Sequence, residues 1–230
     1  MSEAGLLDGY DPGGAWCEML SAAANPATKL IIARLAGLSA AELRRRAELA
    51  EAELYAQGIT FTVYSDKDAI DRILPFDLIP RLITAAEWEV LERGVIQRVA
   101  AINQFLWDLY HEGRILKDGV VPAALVHGNP NWRPEMVGLD VPHRTYVHVA
   151  GIDLVRDEAG RFLVLEDNAR TPSGVSYVIE NRHMMQRVFS DLMDGLRLRP
   201  VGNYGLMLQR ALAEVAPVRS GHEPQVVLLS

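Results

Sequence analysis

The stretch TAAEWEVLERGVIQRVAAINQFLWDLYHEG (84–113) commits the chain to one long helix. Thr84 with Glu87 reads as a capping box, and Trp88, Leu91, Val95, Val99, Ile102, Leu106 and Leu109 recur at helical spacing. The pattern predicts about 26 helical residues, stopping near Gly113. The apolar stripe is expected to pack in a core. Gln97, Arg98 and Asn103 lie off it and are expected at the surface unless a ligand lies against the helix.

Further helices and strands flank this helix. SAAELRRRAELAEAELYAQG (39–58) predicts a second helix, with Ser39 and Glu42 as its capping box and Gly58 as its stop. Its Arg44–Arg46 run is expected to be a solvated face paired with Glu48 and its neighbours. Ile59, Phe61 and Val63 alternate with polar residues as a half-buried strand, and 70–74 returns as its partner. TYVHVAGIDLVRDEAGRFLVLEDNAR (145–170) reads as two further strands joined at Asp157–Gly160, a hairpin signal. Helices are expected again over 177–197 and 204–215, with Met184 and Met185 as helix packing. The fold class is therefore α+β, with antiparallel strands packed by long helices.

The same reading divides the chain into four stretches. Residues 1–38, rich in Gly, Ala, Asp and Pro, are expected to be an irregular lead-in. Residues 39–143 hold the first helices and strands, and 144–222 hold the hairpin and the helices after it. Residues 223–230 look like the first strand of a region cut short.

Composition excludes some functions. A net charge of −7 gives no electrostatic reason to expect nucleic acid or an anionic membrane as partner. No window holds the run of apolar residues that a membrane span needs. The one cysteine, Cys17, cannot form an intrachain disulfide, and a cytoplasmic location is the default expectation. His111, His143, His148 and His183 lack metal-ligand spacing, and the Ser173 and Ser176 context is no nucleophile elbow. GNPNWRP (128–134) is a loop without a phosphate-loop pattern.

The hairpin holds the chemistry. LVLEDNAR (163–170) ends an apolar run on acids, an amide and an arginine. With a four-residue loop, Arg156 would face Arg161 and Gly151 would face Glu166. One face would then carry Ile152, Leu154, Leu163 and Leu165 as core. The other would carry Asp153, Glu166 and Asn168 together; a three-residue loop would break that parity. Two carboxylates and an amide are oxygen donors suited to Mg²⁺ or Mn²⁺. Two readings stand on the residues alone. The acids are solvated, or, since Val155, Phe162 and Val164 share their face, they are covered and require a partner such as a metal ion. Arg170, just past the strand, could stabilise charge on a transferring phosphoryl group.

With the supporting stretches GITFTVY, ILPFDLIPRLI, GVIQRVAAINQFLWDLY and GVVPAAL, the run GIDLVRDEAGRFLVLEDNARTPSGVSYVIENR resembles the circularly permuted ATP-grasp proteins, often labelled glutathionylspermidine synthase-like. The resemblance runs from about residue 45 to the end. It implies an ATP-grasp fold, circularly permuted and incomplete, with Asp153, Glu166 and Asn168 holding magnesium (or manganese) against ATP. The implied activity is carboxylate–amine ligation through an acyl phosphate, with small-molecule or peptide carboxylate and amine substrates. Related ligases often carry an arginine two residues before the metal-binding Asp, where this chain has Gly151. Arg170 is the expected replacement, and Arg182 the second choice. With lysine only at 29, 67 and 117, the chain resembles the N-terminal, metal-bearing half of a larger enzyme. The alternative is a non-catalytic, ATP-grasp-derived binding or interaction domain.

Overall fold

The computed structural model describes residues 7–20, 25–64, 69–73, 75–217 and 223–227. In chain order the elements are α1 (Pro26–Ala36), α2 (Ala40–Ala56), β1 (Thr60–Tyr64), β2 (Ala69–Ile73), α3 (Ala85–Tyr110), α4 (Arg114–Lys117), α5 (Ala123–His127), β3 (Gly151–Arg156), β4 (Phe162–Asn168), α6 (Val175–Val188), α7 (Ser190–Met193) and α8 (Tyr204–Glu214). The strands form two two-stranded sheets, β1–β2 and β3–β4. An α+β chain of long helices and small sheets results.

The chain divides into two compact units that it enters more than once. One holds the residues up to Thr84, the hairpin tip (156–163) and 173–202; the other holds 85–155, 164–172 and 203 onward.

The first unit is a helical core with β1–β2 beside it. Its start corrects the sequence reading, because α1 lies inside the stretch expected to be irregular. Asn25 Oδ1 accepts from Ala27 N, Pro26 occupies the first turn, and Gly37 closes the helix. These local signals outweigh the Gly- and Pro-rich composition around them. Ile31 and Leu35 on α1 are fully buried and pack with Met19, Met185, Phe189 and Leu192. Ala50, Leu54 and Met184 form a second buried cluster. The Met184–Met185 pair is helix packing, as expected. One continuous helix over 177–197 is not found: the backbone leaves helical geometry at Phe189 (φ −124°), between α6 and α7. Phe189 is thereby turned into the core, fully buried.

Polar contacts lock these helices together. Ser39 caps α2 by accepting from Glu42 N at 3.2 Å. The arginine run is not a uniformly solvated face. Arg46 is mostly buried, pairs with Glu42 at 2.9 Å and with Asp191 at 2.7 Å, and lies over the Phe189 ring. Arg34 of α1 donates to the carbonyls of Leu192 and Asp194, satisfying the end of α7. In β1–β2 the register runs from Thr60↔Ile73 to Tyr64↔Ala69, antiparallel.

The second unit is built on α3. Its stripe is only half-buried, and Trp88 is exposed, so the stripe does not form the enclosed core expected of it. The one buried residue of α3 is Tyr110. Tyr110 stacks on Trp132 (4.6 Å between centroids) and on Tyr146 (5.5 Å). Asp108 accepts from the backbone N–H groups of Arg114 and Ile115, capping α4. Residues 223–227 have no strand; 228–230 lie outside the described residues. A strand needs a hydrogen-bonded neighbour, and no described segment pairs with this one. Among the described residues no helix is long and apolar enough to cross a membrane.

Candidate metal site at the base of the hairpin

The hairpin turn differs from the sequence expectation. Gly160 N donates to Asp157 O (2.9 Å), Asp157 N donates to Arg161 O (3.0 Å), and Gly160 has φ 78°. This is a three-residue loop, a type I turn completed by a glycine bulge. Asp157 therefore lies opposite Arg161, and the Arg156 guanidinium sits 4.2 Å over the ring of Phe162. The parity expected from a four-residue loop does not hold at the tip. The expected core face fails too: Leu163 and Leu165 are exposed.

At the base, in the second unit, local markers define the faces. Asn168 Nδ2 donates to Glu166 Oε1 at 3.2 Å, so these two side chains lie together. A Cβ built on Gly151 would stand 3.6 Å from Asn168 Cβ, so positions 151 and 168 share a side. Alternation along β3 carries Asp153 to the side of Gly151. Continued from the tip, the Asp157–Arg161 register would set Gly151 opposite Asp167; its approach to Asn168 instead, with seven residues in β4 against six in β3, places one extra residue in β4 between tip and base, which returns Asp153, Glu166 and Asn168 to one face. Asp153 and Glu166 are exposed and Asn168 is half-buried.

Asp167 points the other way. Its Oδ1 accepts from Arg98 Nε of α3 at 2.6 Å, and this contact with the guanidinium holds its carboxyl below the usual carboxylate range. Five residues along α3, Asn103 Oδ1 accepts from Tyr146 N (2.7 Å) and Val147 N (2.9 Å). Its own amide donates to Val99 O. Arg98 therefore ties α3 to β4, and Asn103 ties it to the segment that leads into β3, roles the sequence reading did not give them. Their signal was in plain view: a polar pair off the stripe of a largely apolar helix.

Arg170 is exposed and donates to Asn131 Oδ1 at 3.4 Å. Asn131 belongs to the 128–134 loop, which the Trp132–Tyr110 stack anchors. Arg182 lies in the other unit, where it donates to the carbonyl of Arg199 at 3.0 Å. At Gly151, where the resemblance led to an expected arginine, a Cβ would come 3.0 Å from Pro172 Cβ, so that any side chain would make Pro172 give way.

The donor set fits a hard cation. The Asn168 amide is engaged through its nitrogen, which leaves its oxygen, with the carboxylates of Glu166 and Asp153, as donors. No group of three or more His, Cys, Asp or Glu that could hold a metal occurs among the described residues.

The chain belongs to the circularly permuted ATP-grasp family: the model described as "A circularly permuted ATPgrasp" matches residues 80–230. An uncharacterized protein of Synechocystis sp. is 40% identical over 226 residues, covering 97% of this chain and 47% of that protein. An uncharacterized protein of Mycobacterium tuberculosis is 46% identical over 202 residues, covering 88% of this chain and 36% of its own length. A Frankia alni protein named "Putative glutamate--cysteine ligase 2-3" is 37% identical over 229 residues, 98% of this chain and 26% of that protein. The chain thus spans between about a quarter and a half of the length of these relatives.

Proposed function

We propose that this chain carries the metal-binding part of an ATP-dependent carboxylate–amine ligase, one that works through an acyl phosphate. The observation that carries the reading is the common face of Asp153, Glu166 and Asn168 at the hairpin base, followed directly by Arg170. Asp153 and Glu166 would hold magnesium (or manganese), with the Asn168 amide oxygen as the neutral third donor. When bound, the ion would offset the negative charge of the ATP phosphates. Arg170, exposed and steered by Asn131, would bind the phosphoryl oxygens or the substrate carboxylate. Arg182 is the less favoured arginine, since its guanidinium already serves a backbone carbonyl.

The Frankia name supports amide-bond formation as the reaction class. It does not transfer glutamate or cysteine, because about three quarters of that protein lies outside the match. Glutathionylspermidine synthesis rests on the family label alone, and carboxylate and amine substrates of small-molecule or peptide type are as far as the chemistry reaches.

Titration of this chain with Mn²⁺, read by loss of the free-ion paramagnetic resonance signal, tests the metal site. One bound ion is expected in the wild type, none in Glu166→Ala, and an unchanged ion in Asp157→Ala. The ligase reading is tested in the full-length Synechocystis relative by Mg²⁺-dependent ADP release on addition of carboxylate and amine. Metal and nucleotide responses absent from both proteins would favour the non-catalytic binding domain instead.

A further inference from the structure

We infer that Arg98 and Asn103 of α3 are positioning residues that set the geometry of the metal site, one tie for each strand. This inference rests on the metal-site reading above. The two strands that carry the donors make no enclosed core of their own: Val155, Val164 and Leu165 are exposed. A two-stranded sheet without burial is marginally stable and free to twist or slip. Something outside the hairpin must hold Asp153 against Glu166 and Asn168, and α3 supplies two polar contacts placed for that purpose.

The tie to β4 is the Arg98–Asp167 pair at 2.6 Å. Asp167 sits between the two donor residues of β4, and successive strand side chains point to opposite faces. Anchoring Asp167 on the α3 side fixes the strand's rotation, so Glu166 and Asn168 are presented together on the other face. Their mutual bond at 3.2 Å is the visible result.

The tie to β3 is Asn103, which accepts from two consecutive backbone amides, Tyr146 and Val147, just ahead of that strand. Val147 is buried, and Tyr146 stacks on Tyr110 of the same helix. The backbone that leads into β3 is therefore pinned to α3 at Tyr146 and Val147. Neither Arg98 nor Asn103 reaches the donor face, so each acts through the strand it holds.

Outer partners that orient metal ligands are typically worth ~10–100-fold in metal affinity. Arg98→Met keeps the aliphatic stem and removes the charge; Asn103→Leu keeps the volume and removes the acceptor. Each variant is expected to weaken Mn²⁺ binding by at least ~10-fold and to alter the resonance line shape of the ion at saturation. Arg98→Lys and Asn103→Asp retain the charge and the acceptor, respectively, and should restore most of the affinity. Amide hydrogen exchange, measured without metal, should quicken at 165–168 in Arg98→Met and at 146–147 in Asn103→Leu. Unchanged affinity and line shape, with or without a lowered thermal midpoint, would make these residues merely structural and overturn the inference. Unchanged exchange would overturn it as well. A wild type that binds no Mn²⁺ removes the metal-site reading and this inference with it; a wild type that binds, alongside variants that bind equally, removes only the inference.

Discussion

Gly160 closes the β3–β4 turn at φ 78°, and carbons of the Trp16 ring lie 2.7–2.8 Å from where its Cβ would be. Two constraints thus meet at one position: a left-handed backbone and a ring stacked directly on it. Gly160→Ala is expected to destabilise the protein by ~1–3 kcal/mol, since backbone strain and overpacking act together. Chemical denaturation would check this, and Trp16 fluorescence would report the displaced ring. Gly151 is constrained differently. Its backbone is unstrained, but Pro172 stands 3.0 Å from the Cβ position, so Gly151→Ala should shift the turn after β4 more than it unfolds the chain. Phe189, fully buried where α6 and α7 meet, is the residue whose loss should cost most. Phe189→Ala is expected to cost ~3–5 kcal/mol, read from the denaturation midpoint.

At the scale of elements, ion pairs fasten α2 to the segment after α6. The Arg45 and Arg46 guanidinium groups hold the Glu42 carboxyl down to about 2, and Arg46 also holds Asp191 below its ordinary range. A carboxyl depressed in the folded state adds stability above its unfolded value, near 4.5 for Glu42, and that contribution is lost as the pH falls toward about 2. The thermal midpoint should therefore drop through this window, and the drop should be shallower in Arg46→Met. Which elements were legible in the sequence follows from where their signals lie. The α2 and α3 signals are internal to the segment, in the Ser39–Glu42 cap and the 3–4 stripe, and both helices are present. For α1, Asn25, Pro26 and Gly37 were equally local but were read as part of an irregular, Pro- and Gly-containing stretch. The hairpin turn was visible as Asp-x-x-Gly, but its register was not. A four-residue loop and a bulged three-residue loop share that sequence, and only the Asp157-to-Arg161 hydrogen bond separates them. Arg98 and Asn103 were visible as polar residues off the stripe, but their partners were not, because each bond joins residues more than forty apart. The donor residues were legible by type; what holds them was not.

At the scale of the whole molecule, the two units differ in how they are held. In the first unit Ile31, Leu35, Leu54, Met184, Phe189 and Leu192 are almost completely shielded from solvent. In the second unit Tyr110 and Val147 are the buried hydrophobic residues among those described, and polar ties and stacked rings carry more of the organisation. Local stability follows buried apolar contact, so amide exchange should be slowest in α2 and α6 and faster along α3. Equal protection across all three helices would contradict this account. Family membership joins the units in one reading, since the match from residue 80 onward takes in segments of both.

The β3–β4 sheet has a last consequence, which concerns handling rather than catalysis. Among the described residues each of its strands pairs only with the other, and Leu163, Val164 and Leu165 stand exposed in succession along β4. An apolar strand whose outer backbone groups are unpaired is a template for strands of other molecules. Concentrated solutions of this chain are therefore expected to self-associate through β4, and Leu165→Lys should raise the concentration at which light scattering first increases.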